Sequence, residues 1–313
     1  MKFSAITTRS LAPSREGLST RSASRRRAAA VALVCGLAGV GMGPVPARAE
    51  TRPFERSYDV PASIILEAET LAGSITVRRG ADAVVRIRGQ VRRRPSWGGV
   101  QLSESDLREL QARPPVRRDG NSVRIERIAD ERLWKGAAID FEIEAPSTAE
   151  VRIRTESGRV IVEDIRASVS AVTHSSAIDF RGVGGPVSAR TGSGAIAIQL
   201  AGAGDVEVSS GSGSIRVEGA TAALTARTQS SRIEIEGSPG GEWSVESGSG
   251  SIDLRVPDTA AFAVDATSRS GDIASDHPVV GGVSEKHRLV GTVRGGGPTL
   301  WIRTASSTIT VHR

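Results

Sequence analysis

Residues 191–196 read Thr191-Gly-Ser193-Gly-Ala-Ile196, and the same pattern of hydroxyl, any residue, Ser, Gly or Ser, any residue, aliphatic recurs through the second half of the chain. The central serines of its copies are Ser157, Ser175, Ser193, Ser212, Ser230, Ser249, Ser270 and Ser306. Successive copies lie 18, 18, 19, 18, 19, 21 and 36 residues apart, and one further copy, Thr70–Ile75, stands alone near the start. A repeat of this length is typical of a stacked architecture.

Short alternating segments flank each copy of the motif. Ile215-Arg-Val217 and Ile233-Glu-Ile235 follow the motif, whereas Trp243-Ser-Val245 precedes it. This alternation predicts two short strands per unit, with apolar residues facing in and Arg, Glu, Ser and Thr facing out. The apolar position before the motif is filled by Val169, Val187, Val206, Leu224, Trp243, Phe262 and Leu300. The Ser-Gly pair between the two strands predicts a turn.

A unit of two short strands cannot bury its own apolar face, so the units must stack, each adding about 4.8 Å. We therefore predict an all-β fold: a parallel β-solenoid, or single-stranded β-helix, of about nine coils of 18–19 residues. Crossover handedness favours a right-handed coil, and a β-sandwich is the alternative. The 36-residue step predicts one degenerate unit around residues 289–293, and we expect both Trp243 and Trp301 to face the core.

The chain divides into three predicted parts. Residues 1–49 combine a basic stretch, an apolar run and Ala47-Arg-Ala49, which predicts an export signal cleaved near Ala49 and no membrane span in the mature chain. Residues 50–150 are predicted to form a β-rich N-terminal part of the solenoid with an Arg/Pro-rich insertion at 92–118. Within it, Ser103-Glu-Ser-Asp106 predicts the start of a short helix. Residues 151–313 are the regular repeat.

Charge and cysteine content narrow the functional classes. The formal net charge is +6, but residues 1–49 hold eight Lys or Arg and one acid, so the remaining chain carries 6 − 7 = −1. This argues against nucleic acid as a partner. The single cysteine, Cys35, lies in the predicted signal, so the mature chain has no disulfide.

The order of these features resembles a known group. A signal peptide, a β-rich lead-in ending in Ile143-Glu-Ala-Pro146 and Thr-x-Ser-Gly-x-Ile repeats up to Thr304–Val311 are similar to the bacterial "putative adhesin" family of unknown function with β-strand repeats, which is related to autotransporter adhesin head domains. The resemblance implies a β-solenoid in the periplasm, on the cell surface or secreted. It implies no catalytic residues.

Motifs of enzymes and cofactor sites are weak in this sequence. Gly192-Ser-Gly194-Ala-Ile-Ala197 resembles a dinucleotide loop, but Gly-Ser-Gly recurs before strands at 211–213 and 248–250, as a turn would. Asp179 and Asp253 occupy equivalent places, which predicts a solvated face rather than an acid–base pair. The histidines are scattered. We predict no enzyme activity, no catalytic residues, no cofactor and no metal.

An interaction surface is expected where the repeat fails, in the 92–118 insertion or in residues 276–297. Residues 78–132 contain fourteen Arg and eight acids. A tryptophan beside arginines is suited to a glycan or an acidic polymer. The predicted surface comprises Arg92, Arg93, Arg94, Trp97, Arg117 and Arg118.

These features predict a non-enzymatic, adhesin-like binding or structural protein of the bacterial envelope, whose partner is an envelope glycan or another envelope protein. The alternatives are a carbohydrate-active β-helix enzyme and a partner in envelope-stress signalling. The oligomeric state stays open.

Overall fold

A computed structural model describes residues 51–61, 63–94 and 101–313. The predicted signal at 1–49 and Trp97 of the predicted surface lie outside the described residues.

Short strands dominate the described part of the chain. The lead-in contains β1 Arg52–Asp59, β2 Ile65–Thr70, β3 Ile75–Arg79, β4 Val84–Arg93, α1 Glu104–Ala112, β5 Val116–Asp119, β6 Ser122–Ile125, α2 Glu131–Gly136 and β7 Ala137–Ala145. The repeats form β8 Glu150–Thr155, β9 Val160–Glu163, β10 Val169–Thr173, β11 Ile178–Val183, β12 Val187–Thr191, β13 Ile196–Leu200, β14 Val206–Ser210, β15 Ile215–Ala220, β16 Leu224–Thr228, β17 Ile233–Gly237, β18 Trp243–Ser247 and β19 Ile252–Arg255. The remaining strands are β20 Phe262–Ser268, β21 Ile273–Ser275, β22 Val280–Glu285, β23 Arg288–Val293, β24 Thr299–Thr304 and β25 Ile309–His312.

The two strands of a repeat unit enter two different sheets. The strand after each motif joins a 12-stranded sheet, here sheet I, in the order β1-β4-β7-β3-β9-β11-β13-β15-β17-β19-β25-β21. The strand before each motif joins a 13-stranded sheet, here sheet II, in the order β22-β23-β20-β24-β18-β16-β14-β12-β10-β8-β2-β6-β5. Nine strand pairs with the motif between them stack in parallel among the described residues. The predicted all-β, parallel solenoid is confirmed.

Alternation along each strand fills the core between the sheets. Val187 and Ala189 of β12 face in, as do Ile196 and Ile198 of β13, and all four are at most 3% exposed. Neighbouring coils pair in register, so that Val187 lies beside Val206 of β14. The interior is therefore a long column of aliphatic side chains, which suits a sequence with only 3% aromatic residues.

The first hydroxyl of each motif faces this core, although Ser and Thr elsewhere on the repeat strands face out. Thr191 is 7% exposed. Its Oγ1 accepts a hydrogen bond from the Gly194 N–H (3.0 Å) and donates one to the Ser176 carbonyl of the preceding coil (3.2 Å). Ser210, Ser247 and Ser268 make the same pair of bonds. The buried hydroxyl thus closes its own turn and bonds it to an adjacent coil.

The predicted degenerate unit around 289–293 is wrong. β22 and β23 form an antiparallel hairpin, and β23 extends sheet II by pairing antiparallel with β20. The closing coil, β24–β25, instead inserts between β18–β19 and β20–β21. Spatial order can differ from chain order because each unit presents the same two strand edges for pairing.

The lead-in closes the opposite end of the stack. The isolated motif copy belongs to coil β2–β3, which pairs with β8 and β9, and the Thr70 hydroxyl donates to the Thr155 Oγ1 at 3.0 Å. Beyond it, β6 continues sheet II while β7, β4 and β1 continue sheet I. The predicted helix is α1, capped by Ser103 and packed on β1 and β4. Sequence reasoning missed α2, although Asp130 caps it.

Candidate binding surface on the outer face of sheet II

The arginines of the predicted interaction surface are divided between the two sheets. Arg92 and Arg93 end β4 in sheet I, whereas Arg117 and Arg118 lie on β5, the edge strand of sheet II. Arg94 follows β4, and its N–H donates to the Gly136 carbonyl at 2.8 Å. The structure therefore does not gather these residues into one patch.

Two of these arginines make contacts that hold the insertion in place. The Arg92 Nε lies 2.7 Å from the Asp140 Oδ2, and the Arg93 Nε donates to the Leu102 carbonyl at 3.0 Å. Burial would raise the pKa of Asp140, but hydrogen bonds from Arg92 and Ser74 outweigh burial, and the pKa lies below its ordinary value. Arg92 is thus part of an internal ion pair.

The other two remain accessible at the end of sheet II. Arg117 lies 3.8 Å from Glu126 across the β5–β6 hairpin, and Arg118 is exposed beside it. Their strand, β5, is the edge strand of sheet II, and the outer face of sheet II carries a row of arginines.

A regular row of arginines runs along the outer face of sheet II. Arg154 of β8, Arg190 of β12, Arg227 of β16 and Arg303 of β24 share one register position. The strands between them carry Val172, Ser209 and Glu246 at that position. An arginine therefore occurs on every second strand, at a spacing of roughly 9.5 Å. These four residues are called the arginine row below.

A parallel row of small hydroxyls lies two residues earlier on the same face. Its members are Ser170, Ser188, Thr225 and Ser244, and Glu207 interrupts the row. Trp301 of β24 takes the next place after Ser244. Each of these side chains points away from the core because it alternates with a buried neighbour.

Trp301 faces outward, so its predicted core position is wrong. Its neighbour Leu300 is fully buried, whereas Trp301 is 37% exposed. Trp243 does lie in the core, where its Nε1–H donates to the Ala222 carbonyl at 2.9 Å. The Arg303 guanidinium lies 5.7 Å from the centre of the Trp301 ring, a cation–π distance.

The 276–297 segment brings further apolar surface to this face. Val280 and Val283 of β22 are 58% and 40% exposed. Their strand joins sheet II through β23 and β20, on the side of β24 that faces away from β18. Exposed Val280, Val283 and Trp301 thus lie at the same end of the outer face.

Shallow grooves on the two sheets carry opposite net charge. On sheet II, a groove of about 910 Å³ is lined by Arg227, Arg269, Arg303 and Glu246, a balance of 3 − 1 = +2. A second groove there, of about 570 Å³, is lined by Arg124, Arg127, Arg152, Arg154, Arg190, Glu67, Glu69 and Glu126, or 5 − 3 = +2. On sheet I, a groove of about 360 Å³ holds Arg216, Arg232, Arg255, Glu218, Glu234, Glu236 and Asp253, or 3 − 4 = −1. Another, of about 590 Å³, holds Arg88, Glu55, Asp140 and Glu142, or 1 − 3 = −2.

The aligned aspartates of sheet I serve in ion pairs. Asp179 lies 2.5 Å from Arg181 and 3.4 Å from Arg159, and Asp253 lies 3.2 Å from Arg232. They occupy one register position four strands apart. The predicted outward alignment is therefore present, and Glu234 lies beside Asp253 on the adjacent strand, with Arg232 paired to both carboxylates.

These features define a class of protein: a two-sheet parallel β-solenoid with a row of arginines on the outer face of one sheet. The chain belongs to the Toastrack DUF4097 family, whose profile matches residues 117–312. This confirms the resemblance to a family with β-strand repeats. The match covers β6, β7 and all coils except β2–β3, and it leaves out β1 to β4 and α1.

Two solved structures are similar over most of their length. A "putative cell adhesion protein" from Clostridium sporogenes ATCC 15579 is 11% identical, with a TM-score of 0.23, and the match covers 83% of this chain and 99% of that one. A "putative adhesin" from Bacteroides fragilis NCTC 9343 is 14% identical, with a TM-score of 0.34, and the match covers 83% and 96%. No curated protein matches significantly. Neither helix among the described residues has the length and hydropathy to cross a membrane.

Proposed function

We propose that this protein is an exported, non-enzymatic, adhesin-like binding module of the bacterial envelope, and that its ligand lies along the outer face of sheet II. The observation that carries the proposal is the arginine row. Four arginines at one register position span six strand spacings, or roughly 29 Å, on a rigid surface. Such a surface suits an extended ligand better than a small molecule, which needs a concave pocket.

Two further features support the proposal. The two grooves described on sheet II are lined by more arginines than acids, whereas the two on sheet I are lined by more acids than arginines. Trp301, Val280 and Val283 add exposed apolar surface at one end, and exposed apolar groups rimmed by polar residues are typical of interaction sites. The predicted surface of Arg92, Arg93, Arg94, Trp97, Arg117 and Arg118 contributes to this proposal through Arg117, which pairs with the outward-facing Arg124 at the other end.

Export is tested by fractionating cells that produce the full chain. We expect recovery in the periplasm, on the surface or in the medium, with a new N-terminus near Glu50 by mass spectrometry. Exclusive recovery in the cytoplasm with Met1 retained contradicts the export part of the proposal.

Binding is tested by incubating the exported protein with peptidoglycan, outer-membrane vesicles and envelope polysaccharide, followed by sedimentation. We expect at least one fraction to retain the protein. The Trp301→Ala variant should bind more weakly, whereas Trp134→Ala, which alters a tryptophan of α2 rather than of sheet II, should not. Absence of binding to all envelope fractions, or equal loss in both variants, contradicts the proposal.

A further inference from the structure

We propose that the arginine row binds a linear acidic polysaccharide that carries one carboxylate or sulfate per disaccharide, with one sugar ring stacked on Trp301. This inference rests on the proposed function and names the ligand class for the same face.

The spacing of the row is the first step. Arg154, Arg190, Arg227 and Arg303 recur at every second strand, so their side chains emerge roughly 9.5 Å apart along a straight line. Two sugar rings linked end to end span a similar length. A polysaccharide with an acidic group on alternate sugars can therefore place one anion beside each arginine in turn.

The same spacing disfavours a nucleic acid. A single nucleic-acid strand carries a phosphate about every 3.4 Å along its axis in the duplex form. A row of cations roughly 9.5 Å apart would leave most phosphates without a partner. The bases would also face a surface with one tryptophan, whereas single-strand binding sites use a series of stacking aromatics.

The arginines can exchange their present partners for a ligand anion. Arg190 pairs with Glu207, Arg227 lies 3.1 Å from Glu246 and Arg303 lies 2.9 Å from Asp265. The Arg190 and Arg227 side chains are 52% and 58% exposed, and ion pairs at such exposed positions contribute little free energy. Arg154 is exposed and forms no ion pair with any residue that the structure describes.

Beside the arginine row, one groove contains a further arginine, Arg269, that can bind an anion. Arg269 lines the groove of about 910 Å³ on sheet II, together with Arg227 and Arg303. Its side chain is exposed and has no carboxylate partner within residues 51–61, 63–94 and 101–313. An arginine fork binds a carboxylate or sulfate through two parallel hydrogen bonds. Arg269 therefore supplies a position for an acidic group at the end of the ligand.

Trp301 and the hydroxyl row favour a sugar over other polyanions. The Trp301 ring is accessible and lies two residues before Arg303 on the same strand. An aromatic ring offers a flat apolar face to the C–H face of a sugar, and Ser170, Ser188, Thr225 and Ser244 line the path beside the arginines. Their hydroxyls can donate to and accept from sugar hydroxyls.

The decisive experiment compares two triple variants of the full chain. Arg154→Ala, Arg190→Ala and Arg227→Ala together remove three arginines from sheet II, whereas Arg78→Ala, Arg216→Ala and Arg255→Ala remove three from sheet I. The sheet I arginines are exposed to a similar degree, with 59%, 60% and 64% of the side chain accessible, so the two variants have the same net charge and comparable surface loss. Biolayer interferometry at low ionic strength measures binding to hyaluronan, to neutral dextran and to oligo-deoxythymidine.

The proposal is supported if the parent protein binds hyaluronan and does not bind dextran. The affinity for hyaluronan should fall roughly tenfold or more in the sheet II variant, since each exposed charge pair contributes a few-fold to the affinity. It should stay unchanged in the sheet I variant. Affinity should rise with the length of a hyaluronan oligosaccharide series until it spans the row, because linked contacts reinforce one another. Trp301→Ala should weaken binding several-fold. If the triple variant fails to fold, Arg154→Gln alone should still reduce the affinity.

Three outcomes would overturn the inference. They are equal weakening of hyaluronan binding in both triple variants, oligo-deoxythymidine binding as tight as hyaluronan binding, and no binding to hyaluronan. If hyaluronan binding is absent while the envelope fractions still retain the protein through Trp301, the proposed function stands and only the ligand class is wrong. If neither probe binds, both fail.

Discussion

The two hydroxyl positions of the repeat motif have different roles at the scale of the residue. In Thr191-Gly-Ser193, Thr191 is buried and bonded to its own turn and to the preceding coil, whereas Ser193 is exposed. The first position therefore needs a hydroxyl that both accepts and donates, because the amide and the carbonyl that it meets are shielded from water. The second position is a surface residue of the turn.

Replacing Thr191 with Val should destabilise the fold by roughly 1–3 kcal/mol, since the Gly194 N–H and the Ser176 carbonyl lose their shared partner in a buried site. Urea denaturation followed by circular dichroism measures the loss. The matched control is Ser193→Ala, which should lie within about 0.5 kcal/mol of the parent. Similar losses from the two changes would show that the buried hydroxyl has no special role.

The motif needs glycine at Gly194 because a neighbouring coil lies close to its Cα atom, and not because its φ angle is positive. Gly194 lies outside the positive-φ region, yet a Cβ atom on it would lie 1.9 Å from the Ser176 carbonyl oxygen. Ser176, Ser231 and Ser307 occupy the same place in other coils, so the turn conformation itself accepts a small side chain. The closeness of the adjoining coil decides which copies require glycine.

We expect Gly194→Ala to destabilise the protein by about 1–3 kcal/mol, because the added methyl group must push two coils apart. The control is Ser176→Ala, which keeps the Cβ atom already present at the equivalent position. Thermal unfolding of the two variants should differ clearly. A Gly194→Ala protein as stable as Ser176→Ala would refute the argument from close approach.

At the scale of the element, one carboxylate joins the two helices of the lead-in. Both Asp106 oxygens lie 2.7 Å from guanidinium nitrogens of Arg132, and Ser103 donates to it through its hydroxyl and its backbone N–H. The Arg132 bonds, followed by those from Ser103, hold the pKa of Asp106 well below its ordinary value. Asp106 therefore completes the capping box that Ser103 begins and anchors α1 to α2.

Because the pKa of Asp106 is lower in the folded chain than in the unfolded one, its stabilising effect is complete above its ordinary pKa and is lost as the pH falls through the folded value. The protection factors of the amides over residues 104–112, which correct for the intrinsic pH dependence of hydrogen exchange, should stay high at mildly acidic pH and fall only in strong acid. Asp106→Asn should exchange faster already at neutral pH, with a weaker dependence on acid. Glu109→Gln, an exposed change on the same helix, is the control. Identical exchange profiles in the parent and in Asp106→Asn would contradict this assignment.

At the scale of the whole molecule, the coils do not follow the order of the chain. The last coil, β24–β25, inserts before β20–β21, and the hairpin β22–β23 closes sheet II beyond it. The β24–β25 coil must therefore bury both of its edges, one against β18–β19 and one against β20–β21. The C-terminal segment completes the stack from within and is not a terminal cap.

A pair of engineered disulfides tests this order. With Cys35 changed to Ser, Glu246→Cys with Arg303→Cys should oxidise readily, because these residues are partners on adjacent strands about 4.8 Å apart. Glu246→Cys with Thr267→Cys should not, since β24 separates the two strands and the distance is roughly 9.5 Å. Non-reducing mass spectrometry distinguishes the products. Cross-linking of 246 with 267 in place of 303 would mean that the coils stack in chain order.

The sequence by itself determined the repeat unit, its two strands and its turn. Apolar alternation and the 18–19 residue period are local signals, and they required stacking because one unit cannot bury its own face. The capping signal at Ser103–Asp106 likewise located α1 without reference to the rest of the chain. The predicted interaction surface named Arg117 and Arg118 on sheet II, but it also included Arg92, which the fold uses in an ion pair with Asp140.

Only the tertiary structure decided the order of the coils, the outward position of Trp301 and the alignment of the arginine row. Trp301 and Leu300 are adjacent apolar residues, and the register of β24 against β18 sets which of them is buried. The row joins residues 36, 37 and 76 positions apart, and the last step depends on the insertion of β24 beside β18. Equivalent units carry the same pairing edges, so sequence distance does not specify neighbours, and a surface assembled across coils becomes visible only once the register is known.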